Sequence, residues 1–209
     1  MIKNIFYAFF VFSVFAVLNP VFSQTTDSAT DKVYLGMIEQ SKAMSSDFDF
    51  AAVRTIYPRT RFFNPYGAMP KTDVPALFKA AQTGNPTALK NLEVYKQINF
   101  PLIEMHSGYL NHYNDLKNPA QAAYHDWATT GFIRALLKTG DGKSAETAYD
   151  VLNIGEEYML ARNAHIDVTG QRIENKDGRV YDVLEGTNAL SKKTDIWFDI
   201  TDIFAKGPY

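Results

Sequence analysis

The spacing of apolar residues changes near residue 147, and this change constrains the fold more than any single motif. Before it, apolar side chains recur every three or four residues; after it, they alternate. Helices placed first and strands placed last predict an α+β chain, with a helical layer packed on a small sheet. In the first part, Val33, Met37, Ile38 and Met44 mark an apolar stripe, and "SSDFDFAAVRTIY" reads as a second, capped helix. "PRTRFFNPYGAMP" carries three prolines and a glycine, which demand irregular backbone. "TDVPALFKAAQTG" restarts a helix, with Thr72 or Asp73 as its cap and Gly84 at its end.

Asn85-Pro86 and Asn118-Pro119 each put a capping side chain before a proline at the first helical position. Their 33-residue spacing approaches the tetratricopeptide period, but the two windows share almost nothing else. Helical hairpins are therefore expected, tetratricopeptide-like at best. Within "AQAAYHDWATTGFIRALLKTG", Ala123, Trp127, Gly131 and Ala135 form one ridge, on which a neighbouring helix can sit closely. Beyond residue 147, "TAYDVLNI" reads as extended and "GEEYMLARNAH" as a short helix. "GQRIE" and "GRVYDVLE" flank "NKDG", whose Asp-Gly is a hairpin signal, and "TDIWFDI" supplies the last strand. The sheet is expected to be antiparallel with one helix. The expected division is a helical layer over 31–139 and a mainly β part over 140–209, within one domain.

The first 23 residues predict an address. Lys3 precedes the apolar run "IFYAFFVFSVFAVL", Asn19-Pro20 breaks it, and "VFS" suits a signal peptidase. The run is short for a membrane span, which takes about 20 residues. Cleavage before Gln24 would leave a polar leader over 24–30 and an exported domain, periplasmic or extracellular, with no membrane attachment. Removing Lys3 leaves 20 basic and 23 acidic residues, a net charge of −3 with His neutral. That balance argues against nucleic acid as a partner. The chain has no cysteine, which excludes thiol catalysis, thiolate metal sites and lipid attachment at a cysteine.

Gly142-Lys143-Ser144 resembles the end of a phosphate-binding loop. Leu137 stands where that loop needs its first glycine, and helix precedes strand instead of following it. Gly140-Asp141-Gly142 is better read as a helix stop with a glycine at positive φ. No His-Glu-x-x-His or Gly-x-Ser-x-Gly pattern occurs, and His106 and His112 lie roughly 120° apart on a helix of about 100° per residue. Neither a metal nor a cofactor is called for. Glu156 and Glu157 open a helix, where the dipole favours carboxylates. The alternative is a cleft in which one of them works as acid or base beside Asp141 and Lys143. Arg54, Arg59 and Arg61 interleave with Tyr57, Phe62, Phe63 and Tyr66, a mix that either roofs the core or holds an anionic or aromatic ligand.

"LLKTGDGKSAETAYDVLNIGEEYMLAR", "TGQRIENKDGRVYDVLE" and "DIWFDI" resemble the C-terminal signature of an uncharacterised domain-of-unknown-function family of secreted bacterial proteins. "DFDFAAVRTIY" and "FFNPYG" echo its earlier half. The resemblance implies a tetratricopeptide-like helical layer followed by a small β element. It also implies a shared constellation of Asp141, Lys143, Glu156, Glu157 and Tyr158, but no catalytic role. Two functions follow as expectations: a non-enzymatic domain binding a protein or small molecule, with Asp141, Lys143, Glu156, Glu157, Tyr158, Arg59, Arg61 and Tyr66 as candidate contacts; or a hydrolase using Glu156 or Glu157 near Asp141.

Overall fold

The computed structural model describes residues 28–66 and 74–207. The expected signal peptide and the Thr72 or Asp73 cap lie outside the described residues. The helical layer comprises α1 (Ser28–Ser41), α2 (Phe50–Ile56), α3 (Val74–Gln82), α4 (Pro86–Asn99), α5 (Ile103–Asp115) and α6 (Pro119–Leu137). Then follow β1 (Tyr149–Asp150), α7 (Ile154–Asn163), β2 (Asp167–Lys176), β3 (Arg179–Thr187), β4 (Lys193–Asp199) and α8 (Thr201–Lys206). The α+β class is as expected. α1 begins at Ser28, inside the stretch expected as a leader.

Local chemistry explains most boundaries. Asp49, Asn85, Asn118 and Asn153 each accept a backbone N–H in the first turn of α2, α4, α6 and α7. Pro86 and Pro119 follow two of these caps, where a missing N–H costs nothing. Asp177 and Gly178, at φ 51° and 78°, make the two-residue turn joining β2 to β3.

The sheet order is β1-β4-β3-β2. β2, β3 and β4 are antiparallel as expected, but β1 joins β4 in parallel, pairing Tyr149 with Phe198. The sheet is thus mixed, because the chain runs through α7 and the β2–β3 hairpin before β4 returns beside β1. A second helix, α8, closes the chain.

α6 ends at Leu137 with Lys138 right-handed at its cap, so the left-handed glycine cap expected at Gly140-Asp141-Gly142 is not what stops the helix; the glycines shape the joint that follows. Gly142 takes φ 67°, and the amides of Asp141 and Gly142 both donate to the Thr147 carbonyl. Gly140 serves by its size instead: a β-carbon there would lie 2.2 Å from the Thr147 oxygen.

One core joins both parts. Tyr34, Val53, Tyr57, Phe132, Leu136, Val183, Leu184 and Phe198 are each fully buried, and such a side chain contributes about 1.5–3 kcal/mol by leaving water. Tyr34 and Tyr57 donate their hydroxyls to the carbonyls of Gln97 and Ile98, at 2.8 and 2.7 Å. The ridge on α6 receives α2: a β-carbon on Gly131 would lie 2.2 Å from the Phe50 ring. A 3₁₀ turn over Tyr57–Arg59 follows α2, and Tyr57 and Phe63 are buried and cover the helical core.

Candidate functional site

The structure brings Asp141 and Lys143 together but sends the two glutamates elsewhere. Lys143 Nζ lies 2.6 Å from Asp141 Oδ2, and Thr147 donates its hydroxyl to Asp141 Oδ1 at 2.7 Å. The lysine, then the threonine, holds the Asp141 carboxyl below its ordinary range. This exposed turn organises the joint; exposed pairs of this kind add little stability.

Glu156 is 1% exposed and faces Arg54 of α2, itself 6% exposed. Two parallel bonds of 2.6 and 2.9 Å join guanidinium and carboxylate. Arg54 also donates to the Asp150 carbonyl, and the Leu152 amide donates to Glu156 Oε2. Glu157, equally buried, lies against Asp182 of β3. Glu157 Oε2 and Asp182 Oδ1 are buried with no hydrogen-bond donor among the described residues, so a proton shared between the two carboxyls is what satisfies them. Burial, then the Asp182 charge, raises the Glu157 pKa well above the carboxylate range. Gln171 and the Val183 amide donate to Asp182, so Asp182 carries the charge and Glu157 the proton. The reading of these glutamates as first-turn carboxylates favoured by the helix dipole did not reach their burial: each enters the interior because α7 sits between α2 and the sheet.

The other candidates are dispersed. Tyr158 is 41% exposed beside these buried neighbours. Arg61 pairs with Asp31 at 3.2 Å, Arg59 lies near Asp202, and the Tyr66 hydroxyl donates to the Ile203 carbonyl at 3.3 Å.

A site that sequence reasoning missed lies in the helical layer. A cleft of about 390 Å³ is bounded by α1, α4, α5 and α6, with the Met44 turn at one side. Ile38, Phe100 and Met105 give it apolar walls; Lys42, Glu93, Lys96, Gln121 and Tyr124 add polar ones. His106 of α5 and His125 of α6 also line it, each 1% exposed. Their Nδ1 atoms are 2.9 Å apart, and His106 Nε2 lies 2.8 Å from the Phe100 carbonyl oxygen. Burial first, and nearby Lys96 as well, lowers His106 to about 4 and His125 to about 3. Both rings are neutral near pH 7. His125 Nε2 is buried with no hydrogen-bond partner among the described residues.

The sequence clue was positional. Ala122, His125, Ala128, Phe132 and Ala135 are the buried stripe of α6, and Ile103, His106 and Tyr109 that of α5. A histidine on each inward stripe of one helical hairpin brings the two rings together. Helical spacing alone set His106 and His112 about 120° apart, and His112 lies against Phe78. No described group of three or more metal-ligating side chains converges.

The family model for a domain of unknown function, DUF4919, matches residues 78–206, and the chain belongs to that family. No curated protein and no solved structure matches it. The matched span holds His106, His125, Glu156, Glu157 and Asp182; Arg54 and the α1 wall of the cleft precede it.

Proposed function

We propose that this DUF4919 chain is an exported, non-enzymatic domain that binds a small molecule in the cleft among α1, α4, α5 and α6. The observation that carries the reading is the orphaned Nε2 of His125, a buried acceptor beside a cleft of ligand size. Its lowered basicity suits holding a ligand better than taking a proton from one. The hydrolase reading has less support. Both Glu156 oxygens are engaged by Arg54, Glu157 faces Asp182, and Asp141 is tied to Lys143 and Thr147.

A fragment screen by thermal shift and ligand-observed NMR should return compounds whose binding is lost in Gln121→Trp. Gln121 is exposed at the cleft, so its replacement fills the opening without entering the core. Compounds that bind Gln121→Trp as well as the parent, or a screen without binders, would overturn the proposal. Export rests on Lys3, the apolar run and "VFS". Fractionation should recover a chain starting at Gln24 outside the cytoplasm; full-length protein in the cytoplasm would contradict this.

A further inference from the structure

The hydrogen bonds of the histidine pair specify what its free nitrogen can receive. The Phe100 carbonyl can only accept, so the proton of neutral His106 sits on Nε2. His106 Nδ1 is then a lone pair, and His125 must donate to it from its own Nδ1. Neutral His125 is left with a lone pair on Nε2, and that lone pair has no partner among the described residues. The plane of the His125 ring is held by stacking. The ring stacks on Tyr109 at 4.7 Å and 11°, and on Tyr113 at 5.6 Å and 18°.

The surroundings narrow the chemistry further. A carboxylate would bring lone pairs to a lone pair. An ammonium would meet the field of Lys96, which already disfavours positive charge on both histidines. The two lysines at the cleft have partners of their own: Lys42 pairs with Glu39 at 2.5 Å, and Lys96 with Glu93 at 3.8 Å. Ile38, Phe100 and Met105 suit an apolar body.

We infer that the cleft takes an uncharged, largely apolar molecule that donates one O–H or N–H hydrogen bond to His125 Nε2. This rests on the ligand-cleft reading above and adds the class of ligand to it.

Phenol, anisole and benzoate are suitable probes, because they share a ring and differ in the donor and the charge. In the unmodified protein, phenol should bind about tenfold more tightly than anisole, which lacks the donor. Phenol should also shift the unprotonated Nε2 resonance of His125 in histidine-ring ¹H–¹⁵N spectra. His125→Phe should abolish the preference, and the comparison within the unmodified protein stands even if that variant does not fold. Equal binding of phenol and anisole, both blocked by Gln121→Trp, would overturn the donor rule and leave the cleft standing. Benzoate binding more tightly than phenol would overturn it too. If none of the three binds in a manner sensitive to Gln121→Trp, the donor rule fails; the broader screen then decides whether the cleft fails with it.

Discussion

Arg54→Met is expected to destabilise the fold by about 3–5 kcal/mol, because it strands a buried carboxylate. Glu156 would remain 1% exposed, with the Leu152 amide as its donor and two further carboxyl groups, Glu104 and Glu157, near it. The Asp150 carbonyl would lose its guanidinium donor as well. Glu156→Gln alone should cost less, since an amide oxygen can still accept from Leu152 and from the arginine. In Arg54→Met/Glu156→Gln no unpaired charge remains, so part of the loss should return. Urea unfolding of the parent, both single variants and the double variant gives the coupling energy directly. A loss under about 1 kcal/mol for Arg54→Met, with no coupling, would show that the pair is not a structural clasp.

The second large effect concerns pH. Burial raises the Glu157 pKa, so the folded protein keeps a proton that the unfolded chain has released. The stability from this proton is complete below the ordinary glutamate pKa of about 4.3 and is lost as pH rises through the folded value. His106 and His125 act in the opposite sense. Their folded pKa values are lowered, so their contribution is complete above the ordinary histidine value of 6.5 and is lost as pH falls below it. Between pH 7 and 9 the histidines are silent and Glu157 dominates. Stability should fall there by about 1.4 kcal/mol per pH unit while the folded state alone holds the proton. Glu157→Gln keeps an N–H donor toward Asp182 without a titrating proton. It should therefore be more stable than the parent at pH 8 and flat across the interval. Equal slopes for parent and variant would show that Glu157 and Asp182 do not share a proton.

The features that were legible in the sequence are those set by neighbours along the chain. Asn85-Pro86 and Asn118-Pro119 start helices because cap and proline act within one turn. Asp177-Gly178 turns a hairpin because two residues supply both positive φ values. Gly142 takes its positive φ in the turn after α6, although the helix itself stops earlier, at Leu137. What was not legible depends on distant residues. Arg54 and Glu156 are 102 positions apart, and nothing local distinguishes a dipole-stabilised glutamate from one neutralised across the core. Lys143 looked like the natural partner because it was close in sequence, but an exposed lysine cannot reach a carboxylate on the inward face of α7. The parallel β1 was hidden in the same way: only two residues of "TAYDVLNI" form a ladder, and their partners lie about fifty residues on. His106 and His125 were passed over because metal-ligand spacing was sought within single helices, whereas their meeting is a product of the α5–α6 hairpin.

The same long-range links bear on the order in which the molecule can assemble. Synthesis delivers α2 early, yet its guanidinium is neutralised by α7, and β1 finds its ladder partner only when β4 has been made. Neither half can therefore reach its final state while the other is missing. Locally encoded helices form quickly, whereas closing so long a loop is slow and unrewarded until its last residues arrive. Any intermediate that buries Arg54 before α7 is in place carries an uncompensated charge, which disfavours early docking of α2. For a chain proposed to leave the cytoplasm, such a delay would keep it threadable until transport is over.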